Sequence, residues 1–291
     1  MTNLFAICKA VTGPGTIKRV EISQPVQNTI DGLFQQQATD FLDGIDEEVP
    51  FGGDYKPDTD EILVLDAPDE VAAMEAAVAN PLGLEVIGAA SFMNEPIKGL
   101  FANPGEGGAG RILIQAFTAQ QFLTRDRIAL IFDGGSFRRV TEPSFALDSK
   151  LVAIAENGQI KFKSFHLLKR IFVLEHVYRE ATDQQIDAFC GHASLLVENL
   201  DAVKAGASQN IRRLFHAVQA ANVLDQSPVA DIYAKAEGLG VELTIQDGRI
   251  VVPTERQRLK EFLRFLDESI YAGPLSARAL VANSKRPFAR N

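Results

Sequence analysis

LVAIAENGQIKFK, residues 151–163, reads as two short apolar strands closed by a tight turn. The runs LVAIA and QIKFK flank Glu156-Asn157-Gly158, and an Asn-Gly pair supplies the positive φ that a type I′ hairpin requires. Upstream, RILIQAF, RIALIF and SFRRV repeat the pattern, the last two around Asp133-Gly134-Gly135. Residues 111–163 therefore predict an antiparallel meander, which argues against a parallel nucleotide-binding sheet.

Toward the amino terminus, LFAIC and TIKRVEI are strand candidates separated by the turn former TGPG. Val26, Ile30, Leu33, Phe34 and Phe41 then recur at helical spacing behind Ser23 and Pro25. Residues 43–60 combine low apolar content with many turn formers and predict an exposed acidic loop. EILVLD predicts a buried strand. Asp66 is the expected cap of a following helix that turns Val71, Met74 and Val78 inward and stops at Asn80-Pro81.

Toward the carboxy terminus helices dominate. FHLLKRIF predicts one, and TDQQIDAFCG another, with a Thr182/Gln185 capping box and Gly191 at its end. A third points Ile211, Leu214, Phe215 and Val218 inward and leaves Arg212, Arg213 and His216 opposite. VELTI and RIVV form a hairpin around Asp247-Gly248, and Thr254 with Gln257 is the expected cap of a last helix built on Leu259, Phe262, Leu263 and Leu266. The predicted class is α+β: an acidic mixed α/β domain with a mainly antiparallel sheet over 1–163, and a mostly helical domain with a β-hairpin and a basic tail over 164–291.

The chain of 291 residues has no apolar run of membrane-spanning length, and its start, MTNLFAICKAV, lacks the basic region of a signal peptide. With two isolated cysteines, Cys8 and Cys190, this predicts a cytoplasmic protein with free thiols. Net charge is −9, unevenly spread: residues 1–100 hold 17 acidic and 5 basic side chains, whereas the last 91 hold 10 and 13. After Glu268 no carboxylate side chain follows, while Arg278, Lys285, Arg286 and Arg290 do. Phosphate binding needs only a local cluster of cations, because screening over about 8 Å hides distant acids.

Other motifs are weaker. The glycine-rich NPGEGGAGR, residues 103–111, lacks a GK[ST] ending and precedes a strand, so it reads as a connection rather than a phosphate loop. Asp133, Asp148 and Lys150 resemble the D…(D/E)xK arrangement of metal-dependent nucleases, the best enzyme alternative. Cys190, His192 and the remaining histidines, His166, His176 and His216, lack the paired spacing of a zinc site, and no activated nucleophile is marked. The sequence therefore predicts no metal and no cofactor. Polyanion contact has three supports: Arg212 with Arg213 and His216; Arg256, Lys260 and Arg264 at i, i+4, i+8; and the basic terminus. The middle one also reads as a solvated face in which Arg258 pairs with Glu261, and Arg264 with Glu261 or Glu268. A third reading is an oligomeric scaffold whose tail meets an acidic face of another copy.

Three stretches, SFALDSKLVAIAENGQIKFKSFHLLKRIF, VYREATDQQIDAF and DESIYAGPLSARALVANSKRPFA, together resemble the KwaB-like family of the Kiwa antiphage defence system. A strand pair leads into an F-x-x-L/I-x-x-I-F helix, here Phe165 to Phe172, and the domain closes on Ser284-Lys285. The resemblance covers the second half closely and the first half in order of elements. It implies a cytoplasmic defence protein that binds DNA, self-associates and works with a transmembrane partner, KwaA, and it carries over no catalytic motif. The very acidic first third departs from it.

Overall fold

The computed structural model describes residues 3–9, 15–53, 55–105, 110–124, 128–174 and 180–286. The TGPG turn, the centre of the glycine-rich segment, His176 and Arg290 lie wholly or mainly outside them. The chain forms two compact units, Met1–Phe51 with Lys56–Leu174, and Gly52–Tyr55 with Glu175–Asn291.

The first unit runs β1 (Leu4–Cys8), β2 (Thr16–Val20), α1 (Gln24–Leu42), β3 (Glu47–Pro50), β4 (Glu61–Asp66), α2 (Asp69–Ala79), β5 (Val86–Ile87), α3 (Ala89–Phe92), β6 (Ile97–Ala102), β7 (Ile112–Ala116), β8 (Leu130–Asp133), β9 (Ser136–Arg139), β10 (Ala153–Glu156), β11 (Gln159–Phe162) and α4 (Phe165–Leu168). Nine strands make one sheet in the order β3-β4-β11-β10-β7-β6-β1-β2-β5. Its interior pairings are antiparallel, and the two outermost, β3 on β4 and β5 on β2, are parallel. The class is α+β, with a sheet that is mainly antiparallel and parallel at both edges. Asn157 (φ 54°) and Gly158 (φ 73°) turn the β10–β11 hairpin through left-handed backbone, which an Asn-Gly pair adopts at low cost. Helix α1 seats Ile30, Phe34, Ala38 and Phe41 with Leu4, Leu100, Leu113 and Ile154 in a buried cluster.

Several expectations need correction. Glu47–Pro50, placed in a loop, is an edge strand, because Val49 and Phe51 are buried beside β4 and the Phe51 N–H donates to the Val64 carbonyl at 2.8 Å. Asp66 does not cap α2. It is the last residue of β4, and Pro68 stands at the N-cap with no side-chain bond. Val26 and Leu33 are exposed on α1, whereas Gln37 is buried there. Among the described residues, strands β8 and β9 pair only with each other, outside the sheet. A bridge between Phe122 and Phe145, with bonds from Leu123 N to Ser144 O (2.8 Å) and Ala146 N to Gln121 O (2.9 Å), closes the base of this excursion, so β10 returns directly to β7. The helix expected from Phe165 to Phe172 is a single turn followed by irregular turns, and the Ile171 carbonyl accepts from Lys98 Nζ at 2.8 Å.

The second unit contains α5 (Asp183–Cys190), β12 (Leu195–Leu196), α6 (Leu200–Gly206), α7 (Gln209–Ala221), α8 (Val223–Gln226), α9 (Val229–Leu239), β13 (Ile245–Gln246), β14 (Arg249–Val251), α10 (Arg256–Leu266), β15 (Ile270–Ala272) and β16 (Ala279–Val281). The Thr182/Gln185 capping box and the Gly191 C-cap of α5 form as expected, as does the Asp247-Gly248 hairpin. Its core joins Phe189, Ile211, Phe215 and Val218 to Leu259, Phe262, Leu263 and Leu266. The cap of α10 is Glu255 rather than Thr254. Its carboxylate accepts from the amides of Gln257 (3.0 Å) and Arg258 (2.8 Å), and these bonds hold it below the ordinary glutamate range.

Candidate nucleic-acid interface

Helices α7 and α10 pack against each other through their buried stripes, and this fixes what lies on their shared rim. On α7 burial of Ile211, Phe215 and Val218 leaves Arg213 half-buried at the edge. On α10 burial of Leu259, Phe262, Leu263 and Leu266 leaves Lys260 and Arg264, one turn apart, in the same position. The strand following the β15–β16 turn then brings residues 282–285 back across the end of α10. The Ala282 amide donates to the Ser269 carbonyl at 2.8 Å, and Arg264 Nη2 donates to Asn283 Oδ1 at 3.1 Å.

These pieces line an open cavity of about 300 Å³. Arg213, Lys260, Arg264 and Lys285 line it together with the polar side chains of Asn210, Ser269, Asn283 and Ser284, and Asp267 is the one carboxylate among the described lining residues. Three features that are separate in the sequence, α7, the α10 stripe and the terminus, thus contribute cations to one concavity.

The expected pairings are not the ones that form. Arg258 pairs with Glu242 at 3.1 Å, not Glu261, and the hydrogen bond of Arg264 goes to a neutral amide. The terminus is neutralised after all at one position: Lys285 Nζ lies 2.9 Å from Asp267 Oδ2 and also bonds the Asp267 carbonyl. Asp267 Oδ2 accepts from Ser269 Oγ as well, at 2.7 Å. Eighteen residues separate this pair, a distance that no local spacing rule covers.

The other named cations fall elsewhere. Arg212 is built into the fold, its guanidinium donating to the carbonyls of Ala181 (2.9 Å) and Ala207 (3.2 Å) and to Asp183 (2.6 Å), which is held below the usual carboxylate range by that bond. Arg256 and Arg278 are exposed and do not line the cavity. Arg286 lies 5.2 Å from the centroid of the Tyr55 ring, a cation–π contact.

The alternative nuclease residues take structural positions. The amide and carbonyl of Asp148 are bonded by Gln115 and Gln37, and its Oδ1 accepts from the Lys150 amide at 3.3 Å. Asp133 ends β8 of the separate ribbon. Among the described residues no group of three His, Cys, Asp or Glu is placed to hold a metal ion. His192 accepts from the Ser194 amide through Nδ1 (3.1 Å), which leaves the proton on Nε2 to donate to Asp225 (2.9 Å). Cys8 and Cys190 are buried, and burial pushes both thiols up to about 11.

No curated protein and no solved structure matches the chain. No helix among the described residues is long and apolar enough to cross a membrane. A family model described as "Kiwa protein KwaB-like" matches residues 113–276, which cover more than half of the chain, from β7 through β15. The chain belongs to the Kiwa protein KwaB-like family, and with it to Kiwa antiphage defence.

Proposed function

We propose that this protein acts in defence by binding DNA, holding phosphates at the cavity between α7, α10 and residues 282–285 without cutting the strand. The observation that carries the reading is the convergence of Arg213, Lys260, Arg264 and Lys285 on one concavity of a chain whose net charge is −9. Guanidinium and ammonium groups with flanking amide and hydroxyl donors hold phosphate oxygens and carry no base readout, so binding is independent of sequence. Arg256, Arg278 and Arg286 extend positive charge beyond the cavity, Arg212 supports the α7 end of it, and Arg290, outside the described residues, is proposed to add to the same charge.

The acidic segment 43–61 supplies the second half of the proposal. Asp43, Asp46, Glu47, Glu48, Asp58 and Asp60 are exposed, a surface suited to the Lys- and Arg-rich cytoplasmic loops of a transmembrane KwaA-like partner. In this reading the protein is cytoplasmic, self-associated, and held at the inner face of the membrane through that partner. Two measurements test it. Arg213→Glu/Lys260→Glu abolishes the mobility shift of DNA by the full chain, whereas Arg278→Glu leaves it largely intact; equal loss in both variants would refute the cavity. Charge reversal across 43–61 ends co-purification with the membrane partner, and unchanged co-purification would remove that half of the proposal.

A further inference from the structure

We infer that the β8–β9 ribbon is a lipid-contacting arm, which lays an apolar face on an anionic bilayer and so gives the protein a membrane contact of its own. Strands with the alternation of RIALIF and SFRRV ordinarily bury one face, yet here that face stays open. Ile128 is 69% exposed, Leu130 60%, Phe132 63% and Phe137 70%. Side chains opposite each other in an antiparallel pair, and those two apart along one strand, share a face. The pairings of Leu130 with Arg139 and of Phe132 with Phe137 therefore collect these four residues on one side, and the two phenyl rings pack with centroids 5.3 Å apart. Ile128 continues the row toward the base of the ribbon, where the Val140 amide donates to the Ala129 carbonyl at 2.9 Å. A hairpin of two strands is only marginally stable by itself in water, so a partner that covers this row also stabilises the ribbon.

Size and charge decide what that partner is. Taking roughly 200 Å² for a fully exposed side chain of this size, the row presents about 500 Å² of apolar surface. That equals the largest patches on soluble monomers, about 300–600 Å², which are often functional, but falls short of the ~800 Å² per partner of a stable protein interface. A bilayer sets no such minimum. An apolar face lying about 5–10 Å into the headgroup boundary, as amphipathic helices do, is a weak anchor that works beside a second one. Arg139 fits the boundary: it is exposed and directly across from Leu130, so its apolar stem follows the row while the guanidinium reaches lipid phosphates. Half of the row is aliphatic and offers no π-face to a base, which disfavours single-stranded nucleic acid. The arm adds to the membrane partner proposed above and does not depend on the DNA cavity.

The chain has no Trp, so Phe132→Trp places a single fluorescent reporter in the row. The full chain carrying it is mixed with vesicles of phosphatidylglycerol and phosphatidylethanolamine in equal parts, with no membrane protein present. Its emission moves to shorter wavelength and is quenched by brominated acyl chains. In vesicle flotation of the full chain, Phe132→Ser/Phe137→Ser lowers the affinity about tenfold or more with far-UV circular dichroism unchanged. Arg139→Gln lowers it about fivefold, the effect of one cation at an anionic surface. Emission unmoved by vesicles, or equal flotation of the parent and the double variant, overturns the inference and leaves docking on a membrane partner standing. A shift that appears without lipid and grows with protein concentration overturns it in favour of a second copy of the chain. A response to oligodeoxythymidine and not to vesicles overturns it in favour of nucleic acid.

Discussion

Replacing Gln115 by Leu probes the least visible part of the sheet unit. Gln115 is fully buried on β7, donates to Gln37 Oε1 (2.6 Å) and the Asp148 carbonyl (3.0 Å), and accepts from the Asp148 amide (3.1 Å). Gln37, buried on α1, donates to the same carbonyl at 2.9 Å. Leucine therefore strands two groups, Gln37 Oε1 and the Asp148 N–H, while the Asp148 carbonyl keeps one donor. A buried unsatisfied polar group costs about 1–3 kcal/mol, and the Asp148 amide is only partly buried, so the substitution destabilises the unit by about 2–4 kcal/mol. With a urea m-value of about 2 kcal/mol/M the midpoint falls by about 1–2 M. The chain has no Trp, so far-UV circular dichroism is the practical signal. The double variant Gln37→Leu/Gln115→Leu costs less than the sum of the singles, because it also removes the stranded amide oxygen. A single-variant loss under about 0.5 kcal/mol, or additive singles, would refute this account of the network.

Three further outcomes follow from the same structure. Gly158→Ala destabilises the first unit by about 1–2 kcal/mol in urea denaturation, a backbone cost alone, since φ is +73° and nothing lies within 4 Å of the added carbon. Glu255 is held below its usual range by two amides, so its contribution to stability is complete above the ordinary glutamate range and is lost as pH falls through the lowered value; Glu255→Gln therefore flattens the acid limb of the urea midpoint against pH, and an unchanged limb would contradict the cap. Asp267→Asn removes the carboxylate from the cavity and tightens DNA binding several-fold at low salt, whereas weaker binding with unchanged circular dichroism would show that the Asp267–Lys285 pair is needed to shape the site.

What the sequence discloses about this molecule divides along physical lines. Features set within a few residues are legible: Asn157-Gly158 and Asp247-Gly248 demand left-handed backbone, Thr182 and Gln185 close a box three residues wide, and the apolar spacing of α10 fixes its buried face. Features set by distant partners are not. Residues 47–50 look like loop until β4 lies beside them, and although its spacing from Ile30, Phe34 and Phe41 puts Gln37 on the buried face, away from the exposed Gln35 and Gln36, nothing local discloses the distant Gln115 and Asp148 that it bonds. The cations of the site were visible one by one, but not their convergence. Arg212 and Arg213 are neighbours in the chain, yet one faces the Ala181 and Ala207 carbonyls and the other the cavity, a difference made by the packing of α7. Asn210 sits one turn before Arg213 on the same helix edge and could have been found from that spacing; Ser269 and Asn283 could not.

The most direct test of the central claim is the salt dependence of DNA binding by the full chain and by Arg213→Gln/Lys260→Gln. Each phosphate contact contributes about 0.9 to the slope of log K against log salt on duplex DNA, so the account predicts a slope shallower by about 2 in the double variant, with weaker binding at low salt. Superimposable salt curves for the two proteins would contradict it.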